Sequence, residues 1–131
     1  MTANRAIVGK GETILLVEDQ TEVAEVARAM LEELGYRVLY APDGATALAI
    51  IGERGDIDLL LTDIVMPGSI NGADLAMQAR QRAGLRAILV TGFADKAIPS
   101  GQFDRFDVLL KPFRMDELAR RVRAALDESK G

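Results

Sequence analysis

The 131-residue chain contains no cysteine and no histidine. The first absence removes a disulfide framework and thiolate chemistry; the second removes the usual general base and the commonest metal ligand. A metal held here must therefore be a hard cation on oxygen ligands. No apolar run approaches the roughly 20 residues that span a bilayer, and the opening MTANRAIVGKGE lacks the apolar segment of a secretory signal. There is no basic excess either: the net charge is −4, which argues against a nucleic-acid backbone as a direct partner. No internal repeat or low-complexity tract interrupts the chain. These exclusions point to a cytoplasmic soluble protein without membrane insertion, whose residues 1–11 read as a flexible leader.

What is present is the material of one core. At 49% hydrophobic, 131 residues fit a single globular domain and leave no room for a second. TILLV (13–17) is a continuous apolar run of the kind buried on both faces of a sheet. From Thr21, the residues Val23, Val26, Ala27, Met30, Leu31 and Leu34 recur at helical spacing, and Gly35 follows where a left-handed C-cap is wanted. YRVLYA (36–41) predicts a second strand; Asp43 then caps a helix carrying Ala47, Leu48 and Ile51, stopped by Gly52 and Gly55. IDLLLTD (57–63), RAILVTG (86–92) and DVLLKP (107–112) read as further strands, with NGADLAMQARQR (71–82) as a helix after the third. The last helix runs from Arg114 to about Glu128 and buries Met115, Leu118, Ala119, Val122, Ala125 and Leu126.

Strands alternating with helices imply right-handed crossovers and a parallel sheet covered on both faces. Ligands of such sheets sit at the carboxyl ends of the strands, where the strand order reverses. The polar residues at those ends are Glu18 and Asp19, Asp63, Thr91, and Lys111 with Pro112. Three carboxylates gathered at one edge repel each other unless a cation is present, and an oxygen-only set suits Mg²⁺. Asp63 can then be both ligand and nucleophile, with Thr91 and Lys111 as donors to an incoming phosphoryl group.

Taken singly, each feature has an ordinary explanation. Glu18 and Asp19 suit a helix N-terminus, Asp63 a turn before MPG, Thr91 a β-prone strand end, and Lys111 a solvated charge. In order, LLVED, LLLTDIVMPG, LVTG and LLKPF resemble the receiver domain of two-component response regulators, over about residues 12–128, with 129–131 as a tail. The resemblance implies an α/β, flavodoxin-like (βα)5 fold: a five-stranded parallel sheet of order 2-1-3-4-5 with helices on both faces. It also implies Asp63 as phosphoacceptor, and Mg²⁺ held by Glu18, Asp19, Asp63 and the Val65 carbonyl. Thr91 would be the switch that bonds the phosphoryl oxygens, Lys111 the partner of Asp63 and of the phosphoryl group, and Lys111–Pro112 a cis peptide. The implied partner is a histidine kinase or histidine phosphotransfer protein. On this reading the chain is a signalling phosphoacceptor rather than an enzyme, and output acts through protein contacts or phosphorelay, since LDESKG follows the last helix directly.

Other classes are less well served. A haloacid-dehalogenase-type phosphatase would need a general acid two residues after Asp63, and Val65 cannot donate. A flavodoxin-like cofactor binder would want hydroxyls and backbone donors after the first strand, not carboxylates. A receiver-like interaction module that is never phosphorylated stays as the alternative. Three departures from the usual receiver pattern bear on output: Glu18 where Asp is more frequent, Val108 where many receivers carry an aromatic, and FADKAIPSGQFDRF (93–106), whose Pro99 and Gly101 predict a short or irregular fourth helix.

Overall fold

The apolar run from Thr13 to Val17 forms strand β1 with all five residues buried, because it lies inside the sheet and is covered on both faces. The computed structural model describes residues 9–66, 68, 70–92 and 107–130. After β1 come α1 (Thr21–Glu33), β2 (Arg37–Ala41), α2 (Gly44–Glu53), β3 (Leu59–Asp63), α3 (Gly72–Ala83), β4 (Arg86–Thr91), β5 (Asp107–Leu110) and α4 (Met115–Lys130). All strand pairs are parallel, in the order β2-β1-β3-β4-β5. This is the flavodoxin-like arrangement anticipated from the sequence. The expected short or irregular helix within 93–106 lies outside the described residues, as do Phe93 and residues 1–8 of the leader.

Successive strand side chains point to opposite faces, and this divides the core in two. Ile14 and Leu16, Leu59 and Leu61, and Ile88 and Val90 meet Ala24, Ala27 and Leu31 of α1 and Leu118, Val122 and Leu126 of α4. Leu15 and Val17, Leu60 and Leu89 meet Ala47 and Ile51 of α2 and Leu75, Ala76 and Ala79 of α3. Each large aliphatic side chain removed from water contributes roughly 1.5–3 kcal/mol. The sheet is therefore held between two layers of helices.

The helix ends follow local rules. Asp43 caps α2 by accepting from the Thr46 N–H at 2.8 Å, and Asn71 caps α3 by accepting from Asp74 at 2.8 Å. Gly35 adopts φ +98° after α1, as its position suggested. Several elements are shorter than expected: β2 starts at Arg37, β3 at Leu59, and β5 stops at Leu110. Tyr36 and Ile57 are buried without joining a strand. Gly52 lies inside α2, which ends one residue later. Val26 is the clear exception on α1, 61% exposed. The buried stripe of that helix runs through Ala24, Ala27 and Leu31, which turns Val26 outward to the rim of an open groove shared with Met30, Pro112 and Phe113.

One polar contact crosses the core. Arg123 of α4 is 4% exposed and bonds Glu12, just before β1, at 2.7 Å and Asp127 at 3.0 Å. Burial alone would raise the Glu12 carboxyl, but the Arg123 bond and the Lys10 N–H outweigh it and hold it at about 2. Glu12 is further fixed by its backbone carbonyl, which accepts from Arg37, and Gly11 donates to Gly35 at 3.1 Å. The chain from residue 9 onward is thus joined to the turn after α1.

Candidate functional site

The strand register decides what meets at the C-terminal edge. Val17 stands opposite Ala41 on one side and Thr62 on the other, Asp63 opposite Val90, and Thr91 opposite Leu110. The residues following β1 and β3 therefore emerge side by side, at the point where the strand order turns from β2 back to β3. There the carboxylates of Glu18, Asp19 and Asp63 offer oxygens that all lie within 4.8 Å of one another. Lys111, one residue past β5, reaches into the same place. Its Nζ lies 2.9 Å from Asp63 Oδ1 and 3.1 Å from Glu18 Oε1.

These contacts set the charge state of the site. Burial pushes the Asp63 carboxyl up to about 6; the Lys111 bond pulls the other way, and the charge on Glu18 adds to the rise. Burial works against the Lys111 ammonium as well, but its bonds to Asp63 and Glu18 more than offset that, so it is held above its ordinary value and stays charged. Glu18 is 4% exposed, and its second oxygen accepts from the Gln20 N–H at 3.1 Å. Gln20 itself caps α1 with no side-chain bond. Glu18 thus also stands at the positive end of α1, so the plain reading of this acid as a helix-terminus residue holds alongside its place in the cluster.

The donor set consists only of oxygen atoms, as Mg²⁺ requires. Across an octahedral Mg²⁺ shell opposite ligands stand about 4.2 Å apart, so the observed spread closes with small side-chain movements. The ammonium of Lys111 already lies between two of the three acids, which shows that the cradle accepts positive charge. The Val65 side chain is 56% exposed.

Backbone contacts hold the surroundings. Thr91 ends β4, and its carbonyl accepts from the Lys111 N–H at 2.7 Å, tying the ends of β4 and β5 together. The Lys111–Pro112 peptide is cis, as the resemblance implied. Gly72 opens α3 against the peptide of Asp63 itself: its N–H donates to the Ile64 carbonyl at 2.7 Å. A Cβ there would stand 2.0 Å from the Asp63 carbonyl oxygen. Val108, the position lacking the usual aromatic, packs on the α2/α3 side of the core, and its carbonyl accepts from Arg121 at 2.7 Å.

Two contributors were not anticipated from sequence. Gly72 carries no chemistry, and its close approach shows only in three dimensions. Tyr40, the penultimate residue of β2, donates its hydroxyl to the Glu18 carbonyl at 2.7 Å. Burial and the charges of Glu18, Asp19 and Asp43 raise its phenol above the ordinary value, so the hydroxyl keeps its proton. The available signal was a polar-tipped aromatic one residue from the end of the strand beside β1.

With this geometry in place, comparison with known proteins is decisive. Residues 14–123 match the response regulator receiver domain family. The chain belongs to that family. The receiver is 36% identical over 118 residues to the transcriptional regulatory protein CpxR of Klebsiella pneumoniae, covering 88% of this chain and 50% of that protein. It is 33% identical over 115 residues to YcbL, an uncharacterized transcriptional regulatory protein of Bacillus subtilis, covering 86% of this chain and 50% of that protein. The receiver thus spans about half the length of these regulators. Among solved structures it is similar to the receiver domain of the hybrid histidine kinase CckA, at TM-score 0.71 and 36% identity, covering 87% of this chain and 98% of that one. It is also similar to the response regulator TrrA of Thermotoga maritima in complex with Mg²⁺ and BeF, at TM-score 0.76 and 30% identity, covering 87% and 98%. No helix among the described residues of the receiver is long and apolar enough to cross a membrane.

Proposed function

We propose that this receiver takes a phosphoryl group onto Asp63 from the phosphohistidine of a histidine kinase or a histidine phosphotransfer protein. The observation that carries the reading is the convergence at one sheet edge of Asp63 with two further acids and a lysine bonded to it at 2.9 Å. In the step, an ionised Asp63 oxygen attacks phosphorus in line. The new O–P bond forms as the N–P bond to the donor imidazole breaks, and the electron pair leaves on that nitrogen, which solvent protonates. Glu18, Asp19, Asp63 and the Val65 carbonyl would hold Mg²⁺, which when bound neutralises charge on the transferred group. Lys111, fixed between Asp63 and Glu18, supplies a second positive charge and can follow the phosphoryl oxygens once the carboxylate is esterified. Thr91, at the end of the neighbouring strand, offers a hydroxyl to those oxygens and so reports the change. That TrrA was solved with Mg²⁺ and BeF, a phosphoryl mimic, supports the same chemistry here.

Residues 12–128 form the receiver proper on this reading, and output passes through protein contacts or phosphorelay from the cytoplasmic side. The test is incubation with a small phosphoryl donor or a phosphohistidine protein, with and without Mg²⁺. Incorporation should require the cation and vanish in Asp63→Asn. Label entering that variant at the wild-type rate would remove Asp63 from the role, and no label in wild type under any condition would favour an unphosphorylated interaction module.

A further inference from the structure

The carbonyl of Glu18 is the first after β1, beyond the paired residues. The last register pair joins Val17 to Ala41. Past that point the Glu18 N–H still reaches the Ala41 carbonyl, at 3.2 Å. The Glu18 carbonyl is taken up instead by a side chain, the hydroxyl of Tyr40 at 2.7 Å, from 22 residues away in sequence. The ring of Tyr40 packs partly buried on the core between α1, α4 and the sheet. The hydroxyl is thereby presented from a fixed support.

The peptide that Tyr40 grips is the one joining the first two acids of the cluster. Glu18, Asp19 and Asp63 lie within 4.8 Å of one another, with Lys111 bonded to two of them and not to Asp19. Like charges at this spacing push apart, and one way to relieve them is rotation of the Glu18–Asp19 peptide, which would carry the whole Asp19 residue away. Glu18 is anchored through its N–H and through both carboxylate oxygens. The carbonyl end, which leads to Asp19, has the Tyr40 bond.

We infer that Tyr40 is a positioning residue: its hydroxyl locks the Glu18–Asp19 peptide so that both carboxylates face the cation site before any cation arrives. This rests on the functional reading above, in which those acids hold Mg²⁺. Tyr40 touches neither substrate nor cation in this role, and its contribution is preorganisation.

The test uses the full chain and Tyr40→Phe, which removes one oxygen and keeps the ring. Cation binding is measured directly, by calorimetric titration with Mg²⁺ or by the electron paramagnetic resonance of added Mn²⁺. Loss of one braced hydrogen bond should weaken binding about fivefold, equivalent to about 1 kcal/mol. The Mg²⁺ concentration giving half-maximal phosphorylation by a small donor should rise by the same factor, while the rate at saturating Mg²⁺ stays that of wild type. An unchanged urea midpoint, within the effect of one hydrogen bond, shows that the fold is intact. Equal cation affinity in wild type and Tyr40→Phe would overturn the role of Tyr40 alone. A lowered rate that saturating Mg²⁺ does not restore would also overturn it, because a general structural defect, not preorganisation, would then be at work. If wild type binds no cation, or Asp19→Asn binds as well as wild type, the underlying reading of the acids fails, and the role of Tyr40 with it.

Discussion

Replacing Gly72 with alanine adds one carbon and two hydrogens where, among the described glycines, a new Cβ meets its neighbours most closely. The new Cβ would stand 2.0 Å from the Asp63 carbonyl oxygen, 2.7 Å from Ile64 Cα and 2.8 Å from the Asp63 carbonyl carbon. Non-bonded carbon and oxygen sit at roughly 3.3–3.6 Å even in their closest favourable contacts. The start of α3 must therefore back away from β3 by more than 1 Å, or the Asp63 peptide must rotate. All three obstructing atoms are backbone, so no side-chain rotamer change relieves them. Overpacking of this kind costs roughly 1–3 kcal/mol, and stretching the Gly72 to Ile64 hydrogen bond adds about 1 kcal/mol. We expect a loss of about 2–4 kcal/mol, a large share of a typical total stability of roughly 5–15 kcal/mol. Urea unfolding should show this as a lower midpoint at unchanged slope. Because the displaced peptide carries Asp63, phosphoryl acceptance should fall as well. Gly52→Ala is the matching control: that glycine lies within α2 with nothing within 4 Å of a new Cβ, so the change should stabilise by about 0.5–1 kcal/mol. A Gly72→Ala protein as stable as wild type would refute the close approach of α3 to the Asp63 peptide.

Three other outcomes follow from named contacts. Glu12→Gln leaves Arg123 buried with Asp127 as its remaining carboxylate at 3.0 Å, and should cost about 2–3 kcal/mol, below the roughly 3–5 kcal/mol typical of a broken buried pair. Since Glu12 is held at about 2 in the folded chain against an ordinary 4.5, the stabilisation it gives is complete above about pH 4.5 and is lost as pH falls toward 2. Acid unfolding of the variant should accordingly be less steep, and parallel curves for the two proteins would contradict the assignment. Thr91→Ala should still accept phosphate, because the hydroxyl matters mainly afterwards, but amide shifts on phosphorylation should shrink; shifts equal to wild type would mean another residue reports the change. Val65, 56% exposed two residues beyond Asp63, cannot orient a hydrolytic water, so Val65→Asn should hasten loss of the phosphoryl group by about fivefold, the worth of one hydrogen bond. Slower or unchanged decay would count against that path for water.

The sequence was most legible where burial is two-sided. TILLV and IDLLLTD read as strands because each carries an unbroken apolar run, and the runs Ile14–Val17 and Leu59–Leu61 are buried inside the sheet. Strand ends were overestimated where an apolar residue such as Tyr36 or Ile57 packs without pairing. Glu18, Asp19, Asp63 and Lys111 were named from their positions at strand ends, and the register brings them together. Arg123 was passed over because an arginine in an amphipathic helix normally faces water, and its partner lies 111 residues away. Tyr40 and Gly72 were missed for a related reason. Each acts on a backbone atom, the Glu18 carbonyl and the Asp63 peptide, and side-chain patterns do not reveal which backbone groups will lack a partner or room.

The bond between Glu12 and Arg123 also bears on when this domain can exist during its synthesis. It joins the residue before the first strand to the last helix, and the same helix supplies Leu118, Val122 and Leu126 to the side of the sheet that it shares with α1. Until those residues leave the ribosome, Ile14, Leu59 and Ile88 have only α1 to cover them on that face. Strands paired before then would expose the part of that apolar face that α4 covers, a state prone to aggregation. Closing so long a loop is tolerable in free energy, since each doubling of length costs only about 0.6 kcal/mol, but contacts of such separation in sequence make folding slower. The domain therefore completes its fold only once α4 has emerged and docked on that face.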